Sequence, residues 1–157
     1  MTIKLVLLDI DGVLTDGKVS VDSSGNESKT IDFKDIDAVF EMKRRGYKVG
    51  LITGEATPIT LFFNARFKPD FFYNGCKDKP AAIDKILKET GFVLEEVCYV
   101  GDGKYDIPAI KLVGLSACPS NAIPEVKELA TVHLTARGGD GCVWELLEWI
   151  TNNNGGV

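Results

Sequence analysis

The stretch Leu5-Val6-Leu7-Leu8-Asp9-Ile10-Asp11-Gly12-Val13-Leu14-Thr15-Asp16-Gly17 decides how the rest of the chain is read. Its apolar opening, bounded by charge and glycine, predicts a fully buried parallel strand. The strand runs out at two carboxylates. Residues two apart on a strand project to the same side, so Asp9 and Asp11 leave it pointing the same way. Neighbouring anions at a strand end repel unless a cation sits between them. α/β sheets place ligands at the carboxyl ends of parallel strands, and oxygen-only ligands point to a hard ion, Mg²⁺. Alone, Asp-x-Asp-Gly is also compatible with a solvated acidic turn, since Asp and Gly are ordinary turn residues. The residues that follow separate the two readings.

Outward from this strand, extended and helical patterns alternate. Lys18 to Asp22 and Glu27 to Phe33 flank Ser23-Ser24-Gly25-Asn26 and predict a β-hairpin. It is an insertion, because βα connections are usually a few residues long. An isolated hairpin is marginal in water, so it is expected to lean on something, another subunit included. Asp35 to Arg45 predicts a helix that Gly46 stops. The cations Lys43-Arg44-Arg45 then complement the negative end of its dipole and need no nucleic acid to explain them. Lys48 to Ile52 is a second buried strand, ending at Thr53-Gly54-Glu55, and Thr57-Pro58 opens a helix. Asp70 to Tyr73 is a third strand, closed by Asn74-Gly75, and Lys79-Pro80 starts a helix that stops near Gly91. Further strands are expected at Glu96 to Val100, Leu115 to Cys118 and Thr131 to Leu134. Helices are expected from Ile107-Pro108, near Pro124 to Leu129, and from Cys142 to Ile150. Residues 151–157, rich in Asn and Gly, are expected to be a disordered tail.

This alternation predicts an α/β fold: a Rossmann-like, doubly wound parallel sheet with helices on both faces. Residues 1–150 form one domain, with no interior stretch left for a cap. Its 157 residues, 45% hydrophobic and 26% charged, suit one globular domain with a real core. A net charge of −5 argues against a nucleic-acid surface. No signal-peptide pattern and no membrane-length apolar run is read, and Cys76, Cys98, Cys118 and Cys142 lie far apart, as reduced core thiols do. A cytoplasmic protein is expected, with no membrane and no nucleic acid among its partners.

Parallel strands would bring four chemistry-bearing ends to one edge: Asp9 and Asp11, Thr53 and Gly54, Lys79, and Asp102. A carboxylate-held metal, a hydroxyl with adjacent backbone N–H groups, and a lysine make a phosphate site. A nucleophilic carboxylate fits, since an aspartyl-phosphate splits one hard hydrolysis into two easier steps. Thr53 or Lys79 alone is an ordinary strand end or a solvated lysine; their order gives them weight. His133 has no ligand cluster around it and reads as a strand-edge residue. Trp144 and Trp149 read as core or subunit-contact residues.

That order resembles the haloacid dehalogenase superfamily over nearly the whole chain. Asp9-x-Asp11-Gly12 is similar to its first motif, Thr53 to its second, Lys79 to its third and Gly101-Asp102-x-x-x-Asp106 to its fourth. Thr53-Gly54-Glu55, Asn74-Gly-x-x-Asp78-Lys79 and Arg137-Gly-Gly-x-Gly141 resemble one narrow capless branch. That branch holds the 3-deoxy-D-manno-octulosonate 8-phosphate phosphatases and their nonulosonate 9-phosphate relatives. The resemblance implies a phosphatase for a phosphorylated sugar acid. It implies Asp9 as nucleophile and Asp11 as general acid/base that also gives Mg²⁺ a backbone carbonyl. It further implies Asp102 as metal ligand and a homotetramer whose neighbours cover each other's sites. Gly103 departs from the pattern, which has a second Asp there, and Asp106 is expected to supply the remaining carboxylate behind the metal ligands. Asn74 replaces the commoner Gln. Glu55 stands where octulosonate enzymes often carry Arg and looks more like the nonulosonate side; Glu55, Asn74 and Arg137 are the expected specificity residues. A competing reading is a non-catalytic oligomerisation module, like the domains fused to sialic-acid-activating enzymes. The intact acidic and basic residues speak against it. A response-regulator receiver is disfavoured because Lys79 precedes Gly101-Asp102.

Overall fold

The computed structural model describes residues 2–154. Six strands form one sheet: β1 (Leu5–Leu8), β4 (Lys48–Ile52), β5 (Phe71–Tyr73), β6 (Val97–Val100), β7 (Leu115–Cys118) and β8 (Val132–His133). Their order is β5-β4-β1-β6-β7-β8, and every pairing is parallel. The apolar run that opens the chain is the central strand, hydrogen-bonded on both edges. Leu5 pairs with Lys48 and Val97, and Leu8 with Leu51 and Val100. The chain first builds outward through β4 and β5, then crosses back to build β6, β7 and β8 on the other side. Strand order therefore reverses at the carboxyl end of β1, which opens a crevice there.

Helices cover both faces, because successive strand residues point to opposite sides. Val6, Leu8, Val49 and Leu51 pack under α1 (Phe33–Arg44), α2 (Pro58–Phe67) and α6 (Cys142–Asn153), against Val39, Met42, Phe63 and Leu146. Leu5, Leu7, Ile52 and Tyr99 face α3 (Lys79–Thr90), α4 (Ile107–Leu112) and α5 (Pro124–Leu129), against Ile83, Ile86, Ile110 and Val126. Full burial of such side chains contributes about 1.5–3 kcal/mol each, which is why strand ends, not strand bodies, are free to carry polar chemistry. Among the described residues no helix is long and apolar enough to cross a membrane.

Three elements differ from expectation. The hairpin is shorter than its alternation suggests: only β2 (Ser20–Val21) and β3 (Glu27–Ser28) pair. Asp22 tightens the turn by accepting from the Ser24 and Asn26 amides. Helix α1 starts at Phe33, not Asp35, because Asp32 caps it by accepting from Lys34 N–H at 2.7 Å. The end of the chain is ordered further than its composition implies. Helix α6 runs to Asn153, and the buried Asn154 accepts from Ile3 N–H at 2.6 Å and donates to Ile3 O at 3.2 Å and the Tyr47 hydroxyl at 3.3 Å. Residues 155–157 of the expected tail lie outside the described residues.

Candidate active site

Just past β1 the chain turns sharply: Ile10 O accepts from the amides of Val13, Leu14 and Thr15. Gly12 makes this turn with φ +84°, and a Cβ there would sit 1.8 Å from Asp102 Oδ2. A side chain is excluded twice over, by backbone conformation and by space. The Thr15 hydroxyl braces the turn, accepting from Gly12 N–H at 3.2 Å and donating to Asp11 Oδ1 at 3.4 Å. Behind it lies the Arg137-Gly138-Gly139-Asp140-Gly141 loop. Gly139 N–H donates to Val13 O at 2.9 Å, and a Cβ on Gly138 would sit 1.8 Å from Gly12 O. The close approach these glycines permit is thus to the turn after β1 in the same chain.

A buried ionic network sits beneath Asp9. Asp78 caps α3 by accepting from Ala81 N–H, which sets Lys79 in the first turn with its side chain buried. Its ammonium lies 2.7 Å from Asp106 Oδ1 and 3.3 Å from Asp9 Oδ1. The Tyr99 hydroxyl, from β6, also donates to Asp106 Oδ1, while the Asp102 and Gly103 amides donate to Oδ2 at 2.9 and 3.0 Å. Asp106 is thereby wholly engaged by protein groups. Gly101 makes room for it, since a Cβ there would lie 2.4 Å from the Asp106 side chain.

Burial, and then repulsion from Asp106, push the Asp9 carboxyl well above the usual range against the pull of Lys79. Burial and Asp106 likewise raise Asp102 to about 7. Burial works in the same direction on Asp106, but the charge and hydrogen bonds of Lys79 outweigh it and hold that carboxyl below its ordinary value. Burial would lower Lys79, yet Asp9 and Asp106 keep its ammonium above the ordinary value. Carboxylate oxygens of Asp9, Asp102 and Asp106 lie within 4.8 Å of one another. With Asp106 occupied, Asp9 and Asp102 are left as crowded oxygen donors whose repulsion a hard divalent cation would relieve, so the residues present fit Mg²⁺.

Above this floor opens a cleft of about 350 Å³. Asp9, Asp11, Thr53, Gly54 and Lys79 line its base, and Asp102, which does not line the cleft, joins them through a carboxylate oxygen within 4.8 Å of one on Asp9. The rim holds Glu55, Cys76, Lys77 and Tyr105. Asn74 and Arg137 are exposed and do not line the cleft of their own chain. Sequence reasoning missed Lys29, whose ammonium reaches back from the hairpin to within 2.8 Å of Asp11 Oδ1, its side chain only 8% exposed. It also missed Tyr99, Lys77 and Tyr105. No motif marks these residues; the one available signal for Lys29 is its place on the return limb of an insertion that springs from the catalytic strand end.

Set against known proteins, the chain belongs to the haloacid dehalogenase-like hydrolases, whose family profile matches residues 62–146. Within that class it is similar to phosphatases of a sugar-acid phosphate. It is 29% identical to the 3-deoxy-D-manno-octulosonate 8-phosphate phosphatase of Haemophilus influenzae over 98% of this chain and 85% of that one. It is 30% identical to the same enzyme of Escherichia coli K12 over 94% and 79%. The fold also superimposes, with a TM-score of 0.90 and 27% identity, on the Moraxella catarrhalis 3-deoxy-D-manno-octulosonate 8-phosphate phosphatase in complex with magnesium, phosphate and the KDO molecule, covering 96% of this chain and 86% of that one.

Proposed function

We propose that this protein is a Mg²⁺-dependent phosphatase that releases phosphate from a phosphorylated sugar acid, 3-deoxy-D-manno-octulosonate 8-phosphate or a nonulosonate 9-phosphate. The chain is a phosphoric monoester hydrolase, and the substrate class follows the names its relatives carry. The observation that supports the reading most is the buried Asp9 with the Lys79 ammonium 3.3 Å away, at the base of an open cleft.

Asp9 is the nucleophile. One of its oxygens bonds to phosphorus as the ester P–O bond breaks, giving an aspartyl-phosphate, and Asp11 gives a proton to the departing sugar oxygen. Asp11 then takes a proton from water, whose oxygen attacks phosphorus; the acyl phosphate P–O bond breaks and Asp9 is regenerated with free phosphate. Lys29 and Thr15 hold Asp11 in position for both transfers. The Thr53 hydroxyl accepts from Glu55 N–H at 3.2 Å, which leaves its own proton for a phosphoryl oxygen, beside Gly54 N–H. Lys79 balances phosphoryl charge and pulls the Asp9 carboxyl towards its ionised form, against the burial and the Asp106 charge that raise it. Asp9, Asp102 and the Asp11 carbonyl would hold Mg²⁺, which would supply charge neutralisation for the phosphoryl group. Asp106 positions Lys79 and the Asp102 segment.

The decisive assay measures phosphate release from a panel of sugar and sugar-acid phosphates with Mg²⁺, with chelator, and with Ca²⁺. Turnover that needs Mg²⁺, favours sugar acids and is inhibited by Ca²⁺ is expected. Ca²⁺ accepts more ligands at longer distances, so it would favour bidentate binding by Asp9 and take that oxygen out of line for attack. Undiminished activity in chelator would overturn the metal assignment, and preference for neutral sugar phosphates the substrate assignment.

A further inference from the structure

Arg137, a cation among the expected specificity residues, does not line the cleft of its own chain. Another cation does. Lys77 stands on the loop between β5 and α3, its ammonium 3.6 Å from where a Cβ on Gly54 would be. The other two cations of the site are committed to carboxylates, Lys79 to Asp9 and Asp106 and Lys29 to Asp11. Among the described residues Lys77 pairs with no carboxylate within 4.0 Å, and neither does Glu55 pair with any cation. Two opposite charges therefore share one cleft mouth without neutralising each other. They rise from a braced platform: Cys76 N–H donates to Thr53 O at 2.9 Å and Gly75 N–H to Glu55 O at 2.8 Å, tying the two loops together. Across the same mouth lies the Tyr105 side chain, 76% exposed, on the turn that carries Asp102.

We infer that Lys77 is the specificity-determining residue that binds the carboxylate of the leaving group, within the same chain that performs the chemistry. Glu55 accepts hydrogen bonds from the sugar hydroxyls, and the Tyr105 ring packs on the apolar face of the sugar. The base of the cleft already supplies donors to the phosphoryl group through Thr53, Gly54 and Lys79, so a cation at the mouth is placed for a second anionic group. With Lys77 and Glu55 both lining the mouth, the ligand has one favoured orientation, because exchanging its two ends would set its carboxylate against Glu55. This assignment rests on the phosphatase reading and deepens it.

The test uses glucose 6-phosphate, whose sugar is an uncharged ring, and 6-phosphogluconate, whose sugar is an open-chain carboxylate. The uncharged-sugar, or neutral, ester is the internal reference, so that the change in ratio between wild type and variant reads the charge. The readout is the ratio of kcat/KM for the acid to that for the neutral ester in wild type, Lys77→Met, Lys77→Glu and Arg137→Ala. Lys77→Met is expected to lower the ratio about two- to fivefold, the scale of a solvated ion pair, and Lys77→Glu to lower it further. Both effects should shrink in high salt. An unchanged ratio in Lys77→Met, an equal fall for both esters, or a fall confined to Arg137→Ala would overturn the assignment. A wild type inert towards every ester with Mg²⁺ present would instead overturn the phosphatase reading. Calorimetric binding of the two esters to wild type and Lys77→Met would then still decide the role of Lys77, weaker acid binding in the variant supporting it and equal binding refuting it.

Discussion

Both carboxylate oxygens of Asp106 are taken by protein groups, and this division of labour explains how four anions share one strand edge. Asp106 is kept ionised by Lys79 and steadies it, while Asp9 and Asp102 remain open to a cation and carry the electrostatic strain of being close. The departure at Gly103 does not leave a hole that its neighbours fill. Its φ of −122° suits any residue, and a Cβ there would meet nothing nearer than Asp106 Oδ2 at 4.0 Å. Gly103→Asp is therefore expected to fold normally and to tighten Mg²⁺ binding, read by metal titration of activity; unchanged or weaker affinity would count against a missing carboxylate. For Asp9, an amide is neither nucleophile nor good metal ligand. Asp9→Asn is expected to lower kcat by at least about 10³-fold, and substantial remaining turnover would refute a covalent mechanism.

Helices α1 and α6 meet through a polar contact inside an otherwise apolar face. Asp35, fully buried in the first turn of α1, accepts from Gly141 N–H at 3.2 Å and Val143 N–H at 3.0 Å at the start of α6. Burial, opposed by those two hydrogen bonds, raises its carboxyl to about 6 from 3.8. A carboxyl raised in the folded state binds its proton more tightly there than in the unfolded chain. Its contribution to stability therefore grows as pH falls through 6 towards 3.8 and is absent above that window. Asp35→Asn has no such proton to bind. The stability of wild type relative to this variant, from denaturant melts, should rise between pH 7 and 4.5 by about 2 kcal/mol; a flat difference would contradict the raised value. At the other end of α6, Asn154 joins the helix to the start of β1. Asn154→Ala leaves the buried Ile3 amide without a partner and should destabilise the fold by about 1–3 kcal/mol, measured the same way. No change in unfolding midpoint would mean the contact is dispensable.

The whole molecule keeps apolar side chains on its outside that its own core does not need. Val19 and Val21 on the hairpin, Phe33 at the start of α1, and Leu61 and Phe62 on α2 are 45–72% exposed. Among the described residues no cap covers the cleft, and these side chains are surface that the expected homotetramer would bury while its neighbours screened the sites from water. An exposed Arg137 is then free to approach a neighbour's cleft. Light scattering should give a tetramer at working concentrations, and dilution to monomer should reduce kcat/KM for sugar-acid phosphates more than for p-nitrophenyl phosphate. A monomer of full activity would refute this arrangement.

The order of residues alone carries short-range patterns. An apolar run ending in Asp9-x-Asp11-Gly12, and strands alternating with capped helices, define a parallel sheet and the edge where its chemistry gathers. Thr53, Lys79 and Asp102 follow because motif spacing converts directly into strand ends. The tertiary structure alone decided which other residues reach that edge. Lys29 meets Asp11 across 18 positions and Asp35 meets Gly141 across 106. Gly138 lies against Gly12, Asn154 orders an end of the chain whose composition reads as loose, and Lys77 with Tyr105 frames the mouth. Periodicity reports which side of its own element a residue faces. Which neighbour it meets depends on how elements pack and where loops turn, and those distances are set only when the whole chain closes around its core.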